Sequence, residues 1–115
     1  MIEVKHGTTR VVFLCGAYAF KIPTFKSWNL FLNGLLANMQ EKLFSGVWEE
    51  LCPVVWAIPG GFCVVMRRAQ PISEEQWEEV CGHIPEHIFN IAESKSINYG
   101  WLDGKIVAVD YGSAR

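Results

Sequence analysis

Asn98 and Asp110 flank a stretch that reads as a β-hairpin: Tyr99 to Leu102, a tight Asp103-Gly104 turn, then the apolar run Ile106 to Val109. Antiparallel pairing brings a carboxamide and a carboxylate to the same open end of the hairpin. Such a pair suits Mg²⁺ held against a substrate's phosphates, because water and phosphate complete the octahedron. Gly112 allows the backbone to turn away after Asp110. The plainer reading is that both side chains only cap the hairpin through turn hydrogen bonds. A second candidate group is Cys81, His83 and His87, although a structural zinc site wants four ligands and Pro85 interrupts the run.

The elements that must position these groups are legible from pattern. Ile2 to Lys5, Arg10 to Leu14 and Ala17 to Ile22 read as three short antiparallel strands divided by glycine-bearing turns. Lys21 lies near the end of the third, either exposed or turned toward an anion. Ser27 caps a helix over Trp28 to Phe44, in which Leu32, Leu35, Leu36, Met39 and Leu43 mark an apolar face expected to dock on the sheet. Glu41 sits near its end, as a partner for Lys21 or as a surface acid. Pro53 to Ile58 and Phe62 to Met66 form a second hairpin around Pro59-Gly60-Gly61. Ser73 and Gln76 open a short helix that runs to Gly82, and Pro85 to Ser94 is expected to form another.

Taken in order, these residues resemble the protein-kinase-like family. Asp110-Tyr111-Gly112 is similar to its DFG motif, Asn98 to its catalytic-loop asparagine, and Glu93-Ser-Lys95-Ser-Ile-Asn98 to its Asp-x-Lys-x-x-Asn run, with Glu93 in the aspartate's place. Ala19 and Lys21 match the Ala and Lys of VAIK. Gly7 and Val12 match parts of the glycine-rich loop, in which Lys5 and Arg10 replace two glycines. The nearest likeness within the family is to small kinase-like proteins of phages and mobile elements. The resemblance implies an α+β fold with a five-stranded antiparallel amino lobe over 1–66, one αC-like helix, a hinge at 67–72, and a truncated carboxy lobe of two short helices and a hairpin over 73–115.

For function it implies ATP and Mg²⁺ as ligands. Lys21 would lie on phosphate, braced by Glu41, with Asn98 and Asp110 on the metal. Gly7, Val12, Ala19, Met66, Arg67 and Ala69 would frame the nucleotide, and Glu93 and Lys95 would act on the acceptor, with weak or absent phosphotransfer. The alternative is a pseudokinase-type module that binds a partner protein or a second copy without catalysis.

The remaining properties bound these expectations. A chain of 115 residues suits one domain, and half of it is apolar. A formal net charge of −2 gives no general attraction to nucleic acid or anionic lipid. No apolar run reaches the ~20 residues of a membrane span, and no signal-peptide core is evident, which suggests a cytoplasmic protein. Cys15, Cys52, Cys63 and Cys81 form no CxxC pair and sit in apolar contexts, as buried reduced thiols would. Five tryptophans spread along the chain are expected to serve in packing.

Overall fold

Three hairpin-linked strands open the chain: β1 (Ile2–His6), β2 (Arg10–Cys15) and β3 (Tyr18–Pro23). Their register places Val12 opposite Lys21. In the computed structural model, which describes residues 2–112, they join β4 (Val54–Ile58) and β5 (Cys63–Arg67) in one antiparallel sheet of order β1-β2-β3-β5-β4. The insertion of β5 beside β3 sets Ala19 opposite Met66. A smaller sheet of order β6-β7-β8 follows, from Gln70–Pro71, Tyr99–Leu102 and Lys105–Ala108. Asp103 and Gly104, at φ 52° and 80°, make the expected tight turn of its β7–β8 hairpin.

Helix α1 (Trp28–Phe44) begins as its sequence predicts, with Ser27 accepting from the Leu30 N–H at 3.2 Å. Its orientation differs from expectation. The face against the sheet is Gly34, Ala37, Asn38 and Glu41, while Leu32, Leu36, Met39 and Leu43 are exposed. Two physical reasons account for this. The helix runs so close to the sheet that a Cβ on Gly34 would lie 2.4 Å from the Thr9 carbonyl oxygen and 2.9 Å from the Pro23 Cα. No leucine fits there. The sheet also presents buried cations to the helix, so polar side chains must meet them.

The β4–β5 turn approaches the other flank of α1. Gly61 holds φ 82°, and a Cβ on it would stand 2.2 Å from the Leu35 carbonyl oxygen, so only glycine is accommodated. Its own carbonyl accepts from Asn38 Nδ2 at 2.9 Å.

After β6 comes α2 (Glu74–Val80), opened by a capping box in which Ser73 and Gln76 bond reciprocally. The second helix expected over Pro85 to Ser94 is instead a five-residue 3₁₀ segment, Glu86–Asn90. Its bonds run three residues back, Ile88 N–H to Pro85 and Ile91 N–H to Ile88. Its apolar residues Ile84, Ile88 and Ile91 are nonetheless buried. They belong to one core with Leu51, Met66, Trp77, Tyr99 and Tyr111, which spans both sheets. Backbone bonds tie the segment before β4 to β8 as well: Cys52 N–H donates to the Ala108 carbonyl at 2.9 Å, and Ala108 N–H to that of Glu50 at 2.7 Å.

Two packing expectations are corrected. Trp77 is buried, but Trp28 and Trp56 are 71% and 57% exposed. The four thiols are free, yet Cys15 is exposed, because it ends a strand at the β2–β3 turn, whereas Cys52 and Cys63 are buried. Burial also pushes the Cys52 thiol up to about 11, which leaves little thiolate at neutral pH. Iodoacetamide at pH 7.5 should therefore modify Cys15 within minutes and spare Cys52 and Cys63, as read by peptide mass spectrometry. Equal labelling of all three in the native protein would contradict this packing. Among the described residues no helix is long and apolar enough to cross a membrane.

Candidate functional site

Four charged side chains from distant parts of the chain meet between the sheet and α1. Lys21, on β3, has its Nζ 3.0 Å from Glu41 Oε1 and also donates to the Val109 carbonyl. Arg10, the first residue of β2, grips the same carboxylate with both nitrogens, at 2.6 and 2.9 Å. Its second nitrogen also reaches Asp110 Oδ1 at 2.8 Å. Asn38 completes the group: its Oδ1 accepts from Arg10 at 3.1 Å and its Nδ2 donates to the Lys21 carbonyl at 3.0 Å. The residue after Asp110 closes onto the helix, Tyr111 N–H donating to Glu41 Oε2 at 3.0 Å and its carbonyl accepting from Gln40 at 2.6 Å.

The cluster balances two cations against two carboxylates. Arg10, Lys21 and Glu41 are buried, Glu41 completely, whereas the Asp110 side chain is 45% exposed. Among the described residues no buried side-chain nitrogen or oxygen lacks a hydrogen-bond partner. Such complete satisfaction is the condition under which buried charge is tolerated. Burial alone would raise the Glu41 pKa, but Lys21 and then Arg10 outweigh it and hold the carboxyl below the usual glutamate range. For Lys21 burial wins over Glu41, and the ammonium is held below its ordinary value.

A depressed carboxyl pKa stabilises the fold above the unfolded-state value and withdraws that stability below it. For Glu41 the window opens at about pH 4.3 and extends downward to the lower folded-state value. Urea midpoints should accordingly fall as pH drops from 5 to 3, and the Glu41→Gln protein should lose much less over the same interval. Parallel acid sensitivity of the two proteins would remove Glu41 as the cause.

The site residues named from sequence divide into three groups. Lys21, Glu41 and Asp110 converge, with Arg10 between them. Asn98 lies beside Asp110 through its backbone, its carbonyl accepting from the Val109 N–H at 2.8 Å, while its side-chain amide donates to the Glu93 carbonyl at 3.3 Å. Glu93 and Lys95 form an ion pair of 3.0 Å with each other at the surface.

The third group, assigned to a nucleotide, lies on β2, β3 and β5, their turns and the segment after β5. Gly7 N–H donates to the Arg10 carbonyl at 2.8 Å and shapes the β1–β2 turn. Val12 is half-buried on β2, and Ala19 and Met66 are core. The hinge backbone is engaged, Arg67 N–H with Pro53 at 3.3 Å and Arg68 N–H with Ala17 at 2.8 Å. The Arg67 side chain pairs with Asp103 at 2.7 Å. The Ala69 Cβ stands 2.7 Å from where a Cβ on Gly100 would lie, so it packs on the small sheet.

The Asp110 oxygen that faces the cluster, Oδ1, is bonded to the Arg10 guanidinium, while the side chain is 45% exposed. Among the described residues no three His, Cys, Asp or Glu side chains converge as a metal site. The Cys81, His83 and His87 group is dispersed: Cys81 Sγ contacts the Glu78 carbonyl, and the His87 ring rests on Trp48 at 4.8 Å. His83 lines a cavity of about 80 Å³ with Glu50, Pro85, Tyr99 and Ile106, apart from the charged cluster. No protein-family description and no curated protein sequence matches this chain.

Sequence reasoning missed Asn38 and the depth at which Arg10 is held. A signal was available. Gly34, Ala37, Asn38 and Glu41 recur at helical spacing opposite the leucines, and a small-and-polar stripe of that kind marks close approach to a polar partner.

Proposed function

We propose that this protein is a kinase-like scaffold that acts by binding another protein and carries out no phosphoryl transfer. The observation that carries the proposal is the Arg10 guanidinium, bonded to Glu41 and Asp110 at 2.6 to 2.9 Å. In the kinase-like reading those two carboxylates serve the phosphate-binding lysine and the metal. Here a fixed internal cation supplies the charge that phosphate-bound Mg²⁺ would otherwise bring.

Three further features support the reading. A helix follows the third of five strands in a β1-β2-β3-β5-β4 sheet, and a hairpin ending in Asp110-Tyr111-Gly112 follows a smaller connecting region. That order of elements agrees with the kinase-like family. The backbone donors at 67 and 68, in the hinge of the kinase-like reading, bond within the fold. Glu93, in the place of the catalytic aspartate, is paired with Lys95.

Thermal unfolding with millimolar Mg-ATP tests the proposal. Ligand at a hundredfold over its Kd adds about 2.7 kcal/mol to a folded state that binds it. The expected result is an unchanged Tm. A rise that Asp110→Ala abolishes would overturn the proposal and restore a nucleotide-binding role.

A further inference from the structure

The unused side of α1 is the largest departure of this fold from what its sequence pattern predicts. Trp28, Leu32, Leu36, Met39 and Leu43 follow one another at steps of four, four, three and four residues, which is a single stripe on a helix. They are 71, 37, 58, 41 and 74% exposed. The helix already has its own buried face, formed by Gly34, Ala37, Asn38 and Glu41, on the side opposite this stripe. The stripe starts at an aromatic hollow of about 300 Å³ lined by Phe25, Ser27, Trp28 and Phe31. Its walls are stacked rings, Phe25 on Phe31 at 5.4 Å and Trp28 on Phe31 at 5.8 Å.

We infer that this stripe is the docking surface for an amphipathic helix of another protein, one whose apolar seam is bordered by Asp and Glu. The three- and four-residue steps from Leu32 to Leu43 match the spacing of a coiled-coil seam, and the aromatic hollow accepts one bulky apolar side chain. Charge selects the partner. Between Phe25 and Val47 the ionisable residues are Lys26, Glu41 and Lys42. Glu41 is completely buried, so the exposed charge along the stripe is cationic, one lysine at either end.

A second copy would set Lys26 against Lys42 in an antiparallel pair, or like against like in a parallel one, and α1 itself would bring no exposed carboxylate to either. A lipid surface calls for a polar face rich in Lys and Arg. Here the flank beside the stripe carries Asn29, Asn33 and Gln40 instead.

This inference rests on the protein-binding role proposed above, and the experiment separates the two. The probes are two synthetic three-heptad helices with Leu at the a and d positions, one bearing Glu at e and g and the other Lys. They are titrated into the ¹⁵N-labelled full chain. The expected result is saturable binding of the Glu peptide, with shifts confined to 25–47, and at least tenfold weaker binding of the Lys peptide. Leu36→Glu and Leu43→Glu, both at exposed positions, should each weaken the Glu peptide at least tenfold without changing Tm.

Equal binding of both peptides, binding of neither, or shifts lying elsewhere would overturn the assignment. So would a concentration-dependent dimer by light scattering that Leu36→Glu dissolves, since a second copy would then cover the stripe. Tighter association with phosphatidylserine vesicles than with the Glu peptide would likewise overturn it in favour of a membrane. A Tm rise with Mg-ATP in the same samples would sink the proposed function alone, leaving the peptide result to stand or fall separately.

Discussion

Replacing Glu41 with Gln should cost the fold about 3–5 kcal/mol, the loss expected when one member of a buried charge cluster is removed and its partners stay behind. The amide keeps the shape of the side chain but leaves Arg10 and Lys21, both buried, facing one partly exposed carboxylate. Against a typical total of roughly 5–15 kcal/mol, that loss is large. Urea unfolding at pH 7 should show a lower midpoint at unchanged slope. The two cations respond differently to the loss. Arg10 cannot release its proton, whereas Lys21, already held below its ordinary pKa by burial, can.

Raising the pH therefore offers a diagnostic. A lysine with a depressed folded-state pKa gains stability as pH rises from that value toward the unfolded value near 10.4. The gap between wild type and Glu41→Gln should shrink between pH 7 and 9. A gap that stays constant would mean that lost packing, and not stranded charge, is responsible. A companion variant with apolar residues in place of Arg10, Lys21 and Glu41 together should recover much of the stability, because well-packed hydrophobic replacements of buried ion pairs are commonly neutral or better.

Gly34→Ala should also destabilise, by about 1–3 kcal/mol, although alanine in a helix interior ordinarily gains about 1 kcal/mol over glycine. The reversal of sign follows from position. The added methyl would meet the Thr9 carbonyl oxygen at 2.4 Å and the Pro23 backbone at 2.9 Å, and neither belongs to a movable side chain. Relief requires α1 to lift from β2 and β3, which loosens Asn38 and Glu41 from Arg10 and Lys21. Calorimetry should show a Tm lowered by several degrees, and hydrogen exchange should quicken along α1. A Tm raised by the substitution would show that the helix rides farther from the sheet than the structure places it.

The helix also shows where sequence reading succeeded and where it stopped. Its start was legible in Ser27, because capping depends on local chemistry alone. Its apolar stripe was legible as a stripe, but periodicity specifies a face and not what that face touches. The glycine and alanine on the opposite side decide the matter through contacts with residues 9 and 23, which no local pattern encodes. The hairpins around Gly60-Gly61 and Asp103-Gly104 were legible for the same local reason as the cap.

Within the charged cluster, Lys21 and Glu41 could be matched through the likeness to a known family. The Arg10 to Asp110 contact spans 100 residues of sequence and had no such guide. Exposure of Cys15 and Trp28 was equally hidden, since composition around a residue cannot tell the edge of an element from its middle.

That same span bears on biosynthesis. Until residues 109 to 111 have left the ribosome, Lys21 lacks the Val109 carbonyl, Arg10 lacks Asp110, and Glu41 lacks the Tyr111 amide. The nascent amino-terminal strands and α1 must wait for a lock that is translated 70 residues after Glu41. The leucine stripe is exposed throughout that wait, so a cell making this protein would rely on rapid synthesis through residue 111, or on a chaperone's grip, to keep it from aggregating.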